Sequence, residues 1–139
     1  MRETPSLVTS ESRLSYLIRT GRATPRFLQG VFPFAGRGMF DPTPLDDALS
    51  YTVPAGRTAQ LVYFRAGNLS DDLLTFCVTA NGAPLRYFPV SPKGDIHVEL
   101  AIVESHPPGV RLDICLAAPR GLVGTVILDI GIVEIEEGQ

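Results

Sequence analysis

Asp95, His97 and Glu99 occupy alternate positions of the segment Asp95 to Val103, and in an extended chain that spacing turns all three side chains to one face. Two carboxylates and an imidazole can bind a divalent metal ion or exchange protons with a substrate. On one strand, however, such side chains stand about 7 Å apart, so closing on one ion needs help from neighbouring strands. The other reading is a solvated face. The second histidine, His106, precedes Pro107-Pro108-Gly109 near Glu104 and reads as a turn residue or a lone base. Arg65, Arg86 and Arg111 fall within apolar segments, where a guanidinium pairs with a cross-strand carboxylate or an anionic ligand. The acidic pairs Asp46-Asp47 and Asp71-Asp72 diverge as adjacent residues and suit capping or turns. The chain has no Gly-rich phosphate loop, no G-x-S-x-G elbow, no H-E-x-x-H and no C-x-x-C.

The elements that must position these residues form a repeating pattern. Ser50–Val53, Thr58–Arg65, Leu73–Ala80, Ala83–Val90, Asp95–Val103, Val110–Ala118 and Gly124–Glu136 are short segments rich in β-branched and aromatic residues, cut apart by Gly, Pro, Asn and Asp. Short links without helices imply antiparallel neighbours. The fold class is therefore all-β: an antiparallel β-sandwich, jelly-roll or Ig-like, of about seven to nine strands. Asn81-Gly82 predicts a two-residue type I′ hairpin. Alternation places Ile96, Val98, Leu100 and Ile102 inward, opposite Asp95, His97 and Glu99. It likewise places Leu112, Ile114 and Leu116 inward, opposite Arg111, Asp113 and Cys115. Cys77 and Cys115 read as small residues on a second, partly covered face. In the last segment Leu128 and Ile130 are out of phase with Val133 and Ile135, which predicts a β-bulge at Gly131-Ile132.

A chain of 139 residues is one fold unit, long enough to hide roughly two-thirds of its unfolded surface. Within it, residues 1–40 differ from residues 41–139. The first part has six arginines against two glutamates, a net charge of +4, and the remainder has a net charge of −7. Ser10-Glu11-Ser12 is a candidate cap for a short helix over Arg13 to Thr20, with Leu14, Leu17 and Ile18 at helical spacing, although alternation of Leu14, Tyr16 and Ile18 also half-fits a strand. The stretch from Ala23 to Phe40 is aromatic and interrupted by Pro and Gly, so an extended arm or edge strand is expected. Arg26, Phe27, Phe32, Phe34, Arg37 and Phe40, with Arg65 and Arg86 of the body, are the candidate binding residues. A basic, aromatic arm beside an acidic body implies that the arm packs on a body, its own or that of a neighbouring subunit. Nucleic acid is excluded as a partner by the acidic body, and no apolar run reaches the length of a signal peptide or a membrane span, so a soluble, cytoplasmic location is expected. Asn68-Leu69-Ser70 matches a glycosylation acceptor but reads as a turn in such a setting.

The run GRGMFDPTPLDDALSYTVPAGRTAQLVYFRAGN (36–68), with RYFPV (86–90) and KGDIHVEL (93–100), resembles a group of short bacterial proteins carrying the label molybdopterin oxidoreductase, over most of the chain from Arg13 to Glu134. The resemblance implies an accessory or partner role near such an enzyme, because no pterin-binding glycine loop accompanies it. The residues themselves point to a non-enzymatic sandwich that self-associates through its arm and binds a ligand or another protein, with no cofactor. A small metal-dependent enzyme centred on His97 is the catalytic alternative.

Overall fold

A computed structural model of the chain describes residues 13–137. Among these, helix α1 (Arg13–Arg19) precedes nine strands: β1 (Ala23–Ala35), β2 (Gly38–Pro44), β3 (Tyr51–Thr52), β4 (Arg57–Asn68), β5 (Leu74–Ala80), β6 (Ala83–Val90), β7 (Asp95–Glu99), β8 (Arg111–Ala118) and β9 (Val123–Glu136). One sheet has the order β1-β9-β4-β7. The other has the order β2-β8-β5-β6, with β3 also on β8. The strand pairings are antiparallel. A four-stranded sheet facing a five-stranded one, wound in this order, forms the jelly-roll version of the expected sandwich.

The local signals account for the pieces. Asn81 and Gly82 both adopt positive φ, 50° and 83°, and Ala80 pairs with Ala83 across the turn, as the I′ hairpin requires. Helix α1 ends at Gly21 in a Schellman arrangement: Arg22 N donates to Leu17 O and Gly21 N to Ile18 O. The Ser10-Glu11-Ser12 cap lies outside the described residues. Asp46 caps the 3₁₀ turn Asp47–Leu49, its carboxylate accepting from Ala48 N at 2.8 Å.

The main core lies between the sheets. Phe64 of β4 stacks on Phe88 of β6, ring centroids 4.2 Å apart, and tilts against Phe76 of β5 at 5.5 Å. Each such pair adds about 0.5–1.5 kcal/mol beyond its burial. Asn68 ties the sheets at one end: its amide donates to the carbonyls of Asp72, Val90 and Ser91 and its Oδ1 accepts from the backbone and hydroxyl of Ser70. With its amide nitrogen committed inside the fold, Asn68 is structural.

Three sequence expectations need correction. The bulge is not in β9, which runs in unbroken register against β1 from Ala23↔Ile135 to Ala35↔Val123. It lies opposite, in β4, where Val62 is the extra residue between Leu61 and Tyr63. The phase change in β9 has another cause. Ile130 and Ile132 face the main core, whereas Val133 and Ile135 face outward into a second cluster with Leu17 and Ala23, beneath helix α1. Both faces are covered there, so both are apolar. Second, β7 stops at Glu99, and Ile102, expected inward, is 75% exposed in the following loop. Third, the division expected after Phe40 falls inside β2, and the basic, aromatic segment belongs to the sandwich from Ala23 onward. Of the two readings of that stretch, the edge strand is the one found: Pro25 and Pro33 sit on an edge strand, where a missing N–H breaks no ladder bond.

Candidate functional site

Polar chemistry collects on the outer face of the β1-β9-β4-β7 sheet, around Asp129. Outward alternation in β9 places Asp129 between Leu128 and Ile130, which face the core. The register then sets Gln29 of β1 and Arg65 of β4 on either side of it, and His97 of β7 beside Arg65. Gln29 Nε2 donates to Asp129 Oδ1 at 3.0 Å, Tyr63 Oη donates to the same oxygen at 2.9 Å, and Arg65 lies 3.5 Å from Oδ2. Tyr63 reaches that far because its ring lies flat across Gly131, where any Cβ would collide with it. An aromatic ring covering a cross-strand glycine is a recognised way to pin register. Burial, the bond to Asp129 and the Asp129 charge all raise the Tyr63 pKa, against the opposing charge of Arg65. His97 meets the Tyr63 ring edge-on, centroids 6.1 Å apart.

Beside this cluster is a hollow of about 530 Å³. It forms because Gly67 stands between Ile127 and Asp95 in the cross-strand row and has no side chain to fill it. Arg65, Lys93 and His97 bring basic groups to its walls, Asp95 and Asp129 acidic ones. Asp95, His97 and Glu99 are exposed along β7, as alternation requires. Among the described residues, no group of three His, Cys, Asp or Glu side chains is placed to hold a metal ion.

A second acid cluster closes the inner face. Glu134 is buried, accepts from Tyr51 Oη at 2.6 Å, and has Arg26 Nε at 3.3 Å and an Arg57 nitrogen at 3.6 Å. Arg57 also donates to Thr24 Oγ1 at 3.2 Å. Burial first, then the bond to Glu134 and its charge, push the Tyr51 pKa far up. Because Tyr51 belongs to one sheet and Glu134 to the other, this cluster clamps the sandwich shut.

The candidate binding residues separate. Phe32 and Phe34 lie in the core. Arg26 serves Glu134. Arg86 bridges to the loop after β7, donating to Glu104 at 2.7 Å and to the Ile102 carbonyl. Phe27, Arg37 and Phe40 are exposed, but only Phe27 shares the face of Arg65 and Asp129. Cys77 and Cys115 are direct cross-strand partners on the other sheet, both buried, and burial raises both thiol pKa values. His106 is buried, bridges to Ala59 through its backbone, and has no hydrogen-bond partner for Nε2 among the described residues. Burial lowers its pKa. Sequence reasoning did not single out Gln29, Tyr63 or Asp129. They are 34 to 100 positions apart and meet only through strand register; the one local clue was an acid alternating with core residues.

No family model and no curated protein matches the chain. Among solved structures, it is similar to the CBM36-1 domain of a multidomain xylanase from the hindgut metagenome of Trinervitermes trinervoides, with 11% identity, 79% of this chain and 96% of that one covered, and a TM-score of 0.49. It is also similar to the protein of infectious bursal virus-derived T=1 particles, with 12% identity, 84% of this chain covered and a TM-score of 0.50. The match spans about a third of the length of that viral protein, 32%. At 12% identity and a TM-score of 0.50, the match to the viral protein is a likeness of fold alone.

Proposed function

We propose that this protein is a non-enzymatic β-sandwich that self-associates and acts as a binding or assembly module, using the outer face and free edge of the β1-β9-β4-β7 sheet. The observation that supports this reading is an apolar strip laid against the Asp129 cluster. Val31, 63% exposed, sits directly beside Ile127, 44% exposed. Pro33, Ala35 and Val123 continue the strip to one side, and Phe27, 55% exposed, lies beyond Gln29 on the other. Isolated exposed apolar residues are ordinary, whereas a continuous strip marks an interaction surface. An apolar centre with a rim of Arg, His and carboxylates has the makeup of a non-obligate interface. Within the cluster, Asp129 is held by two hydrogen-bond donors and an ion pair from the strands on either side, an arrangement that fixes a surface in shape.

Sedimentation velocity on the full-length protein tests the reading. A species of at least twice the 15.0 kDa chain mass is expected. A monomer at every concentration up to the solubility limit would remove the self-association.

A further inference from the structure

We infer that the partner of the β1 edge is the β1 edge of a second copy, paired antiparallel about a two-fold axis at Gln29; this deepens the self-association proposed above and rests on it. The argument starts from where the β1 peptide groups point. In an antiparallel pair, alternate residues direct both N–H and C=O at the partner and the others direct both away. Gly36 N donates to Leu122 O, and Arg22 O accepts from Glu136 N, so even-numbered residues face β9. Odd-numbered residues of β1 therefore face the free edge. Two of these are Pro25 and Pro33, which have no donor; between them stand Phe27, Gln29 and Val31, whose amides have no backbone partner among the described residues.

This edge differs from the others. Strand β7 is five residues long with a carboxylate at each end. Strand β6 has two prolines and a register shift. Strand β2 has two prolines and an irregular register against β8. Short length, charge, proline and bulges are the usual guards of a sheet edge. Strand β1 runs 13 residues in one register, with uncharged residues at its three unguarded donors.

The spacing selects the occupant. The prolines lie four residues on either side of Gln29, and the donors Phe27 and Val31 two on either side. With Gln29 opposite its own copy, Phe27 faces Val31 of the second copy and the reverse, and each Pro25 faces a Pro33. Six backbone hydrogen bonds form, two at each of three pairs, and the groups without donors meet only one another. A register displaced from Gln29 would set a free amide against a proline. The outer strip of Phe27 and Val31 then continues across the axis, joining two four-stranded sheets into one of eight strands. This is an isologous, closed contact.

Two variants and the wild type test the pairing. In a hydrogen-bonded antiparallel pair the facing Cα atoms lie about 5.5 Å apart, within disulfide range. Gln29→Cys is expected to form a cross-linked dimer on treatment with diamide, two thiols giving up their hydrogens to the reagent, while Val123→Cys on the same face does not. Gln29→Pro removes the central donor at a position where an edge strand tolerates proline. It is expected to halve the sedimenting mass with an unchanged far-ultraviolet spectrum; Val31→Lys gives the same result if proline disturbs folding. A dimer that survives both substitutions, or that fails to cross-link through Gln29→Cys, overturns the pairing and leaves self-association standing by another surface. A monomeric wild type overturns both.

Discussion

Strand β9 carries two carboxylates five residues apart, each bound by a tyrosine hydroxyl and approached by arginine, on opposite faces of one sheet. Asp129 takes Tyr63, Gln29 and Arg65 on the outer face, with about 30% of its side chain exposed. Glu134 takes Tyr51, Arg26 and Arg57 on the inner face, with 4% exposed. The parts are nearly the same, and burial makes the difference. An exposed ion pair gains little, because water already solvates both partners. A buried carboxylate has lost that water and depends on its partners, so removing its charge or a donor costs far more than the pair contributed over solvation. The outer cluster shapes a surface; the inner one holds two sheets together.

The largest effect expected from this contrast is at Glu134. Glu134→Gln keeps the shape and the acceptor for Tyr51 but leaves Arg26 and Arg57 without a counter-charge, and should lower stability by about 2–3 kcal/mol. Both guanidiniums are partly exposed, which holds the loss below that of a fully enclosed pair. Urea denaturation should show a lower midpoint at unchanged slope. A loss under about 0.5 kcal/mol would put the two clusters on an equal footing and end the distinction.

Why sequence reasoning reached one half of this picture follows from the residues. Strands β4 to β9 were readable because each carries its own alternation and stands between turn formers, and Asn81-Gly82 specifies its turn locally. Beside Glu134, Val133 and Ile135 are apolar neighbours that read as inward, which is what called for a bulge at Gly131-Ile132. Those neighbours are covered by helix α1, and nothing near β9 in sequence announces a helix more than a hundred residues away. For β1 the sequence leaves an extended arm and an edge strand both open, because prolines count against an interior strand, while the cost of a proline depends on which way its missing N–H would point. Tyr63, Gln29 and Asp129 had no shared local signal at all.

Alkaline titration sharpens the contrast at an intermediate magnitude. Both tyrosines have pKa values raised in the fold, Tyr51 the more strongly, by burial and then by a bonded carboxylate. A pKa above the unfolded value of about 10 means that the folded protein keeps a proton the unfolded chain gives up. That stabilisation is complete below about pH 10 and is lost as pH rises through the folded pKa. Stability should therefore fall above about pH 10, with the larger share of the loss coming from Tyr51. Tyr51→Phe should flatten that decline more than Tyr63→Phe. Equal flattening, read by tyrosinate absorbance alongside circular dichroism, would mean that the inner hydroxyl is no better sheltered than the outer.

The smallest effect belongs to Asp129. Asp129→Asn retains an acceptor for Gln29 and Tyr63 and loses only the charge facing Arg65, whose side chain is 56% exposed. The loss should stay under about 1 kcal/mol, as for surface ion pairs generally. It should also shrink with added salt, because the Debye length falls from about 10 Å at 0.1 M to about 3 Å at 1 M and exposed charges are screened. The Glu134→Gln loss should barely move over the same range, since ions reach the inner face poorly. Salt thus separates the two carboxylates without relying on absolute stabilities. If the Asp129 loss persisted unchanged at 1 M salt, the outer cluster would be stabilised by its hydrogen-bond geometry rather than by charge, and the surface it shapes would be as rigid as the core beneath it.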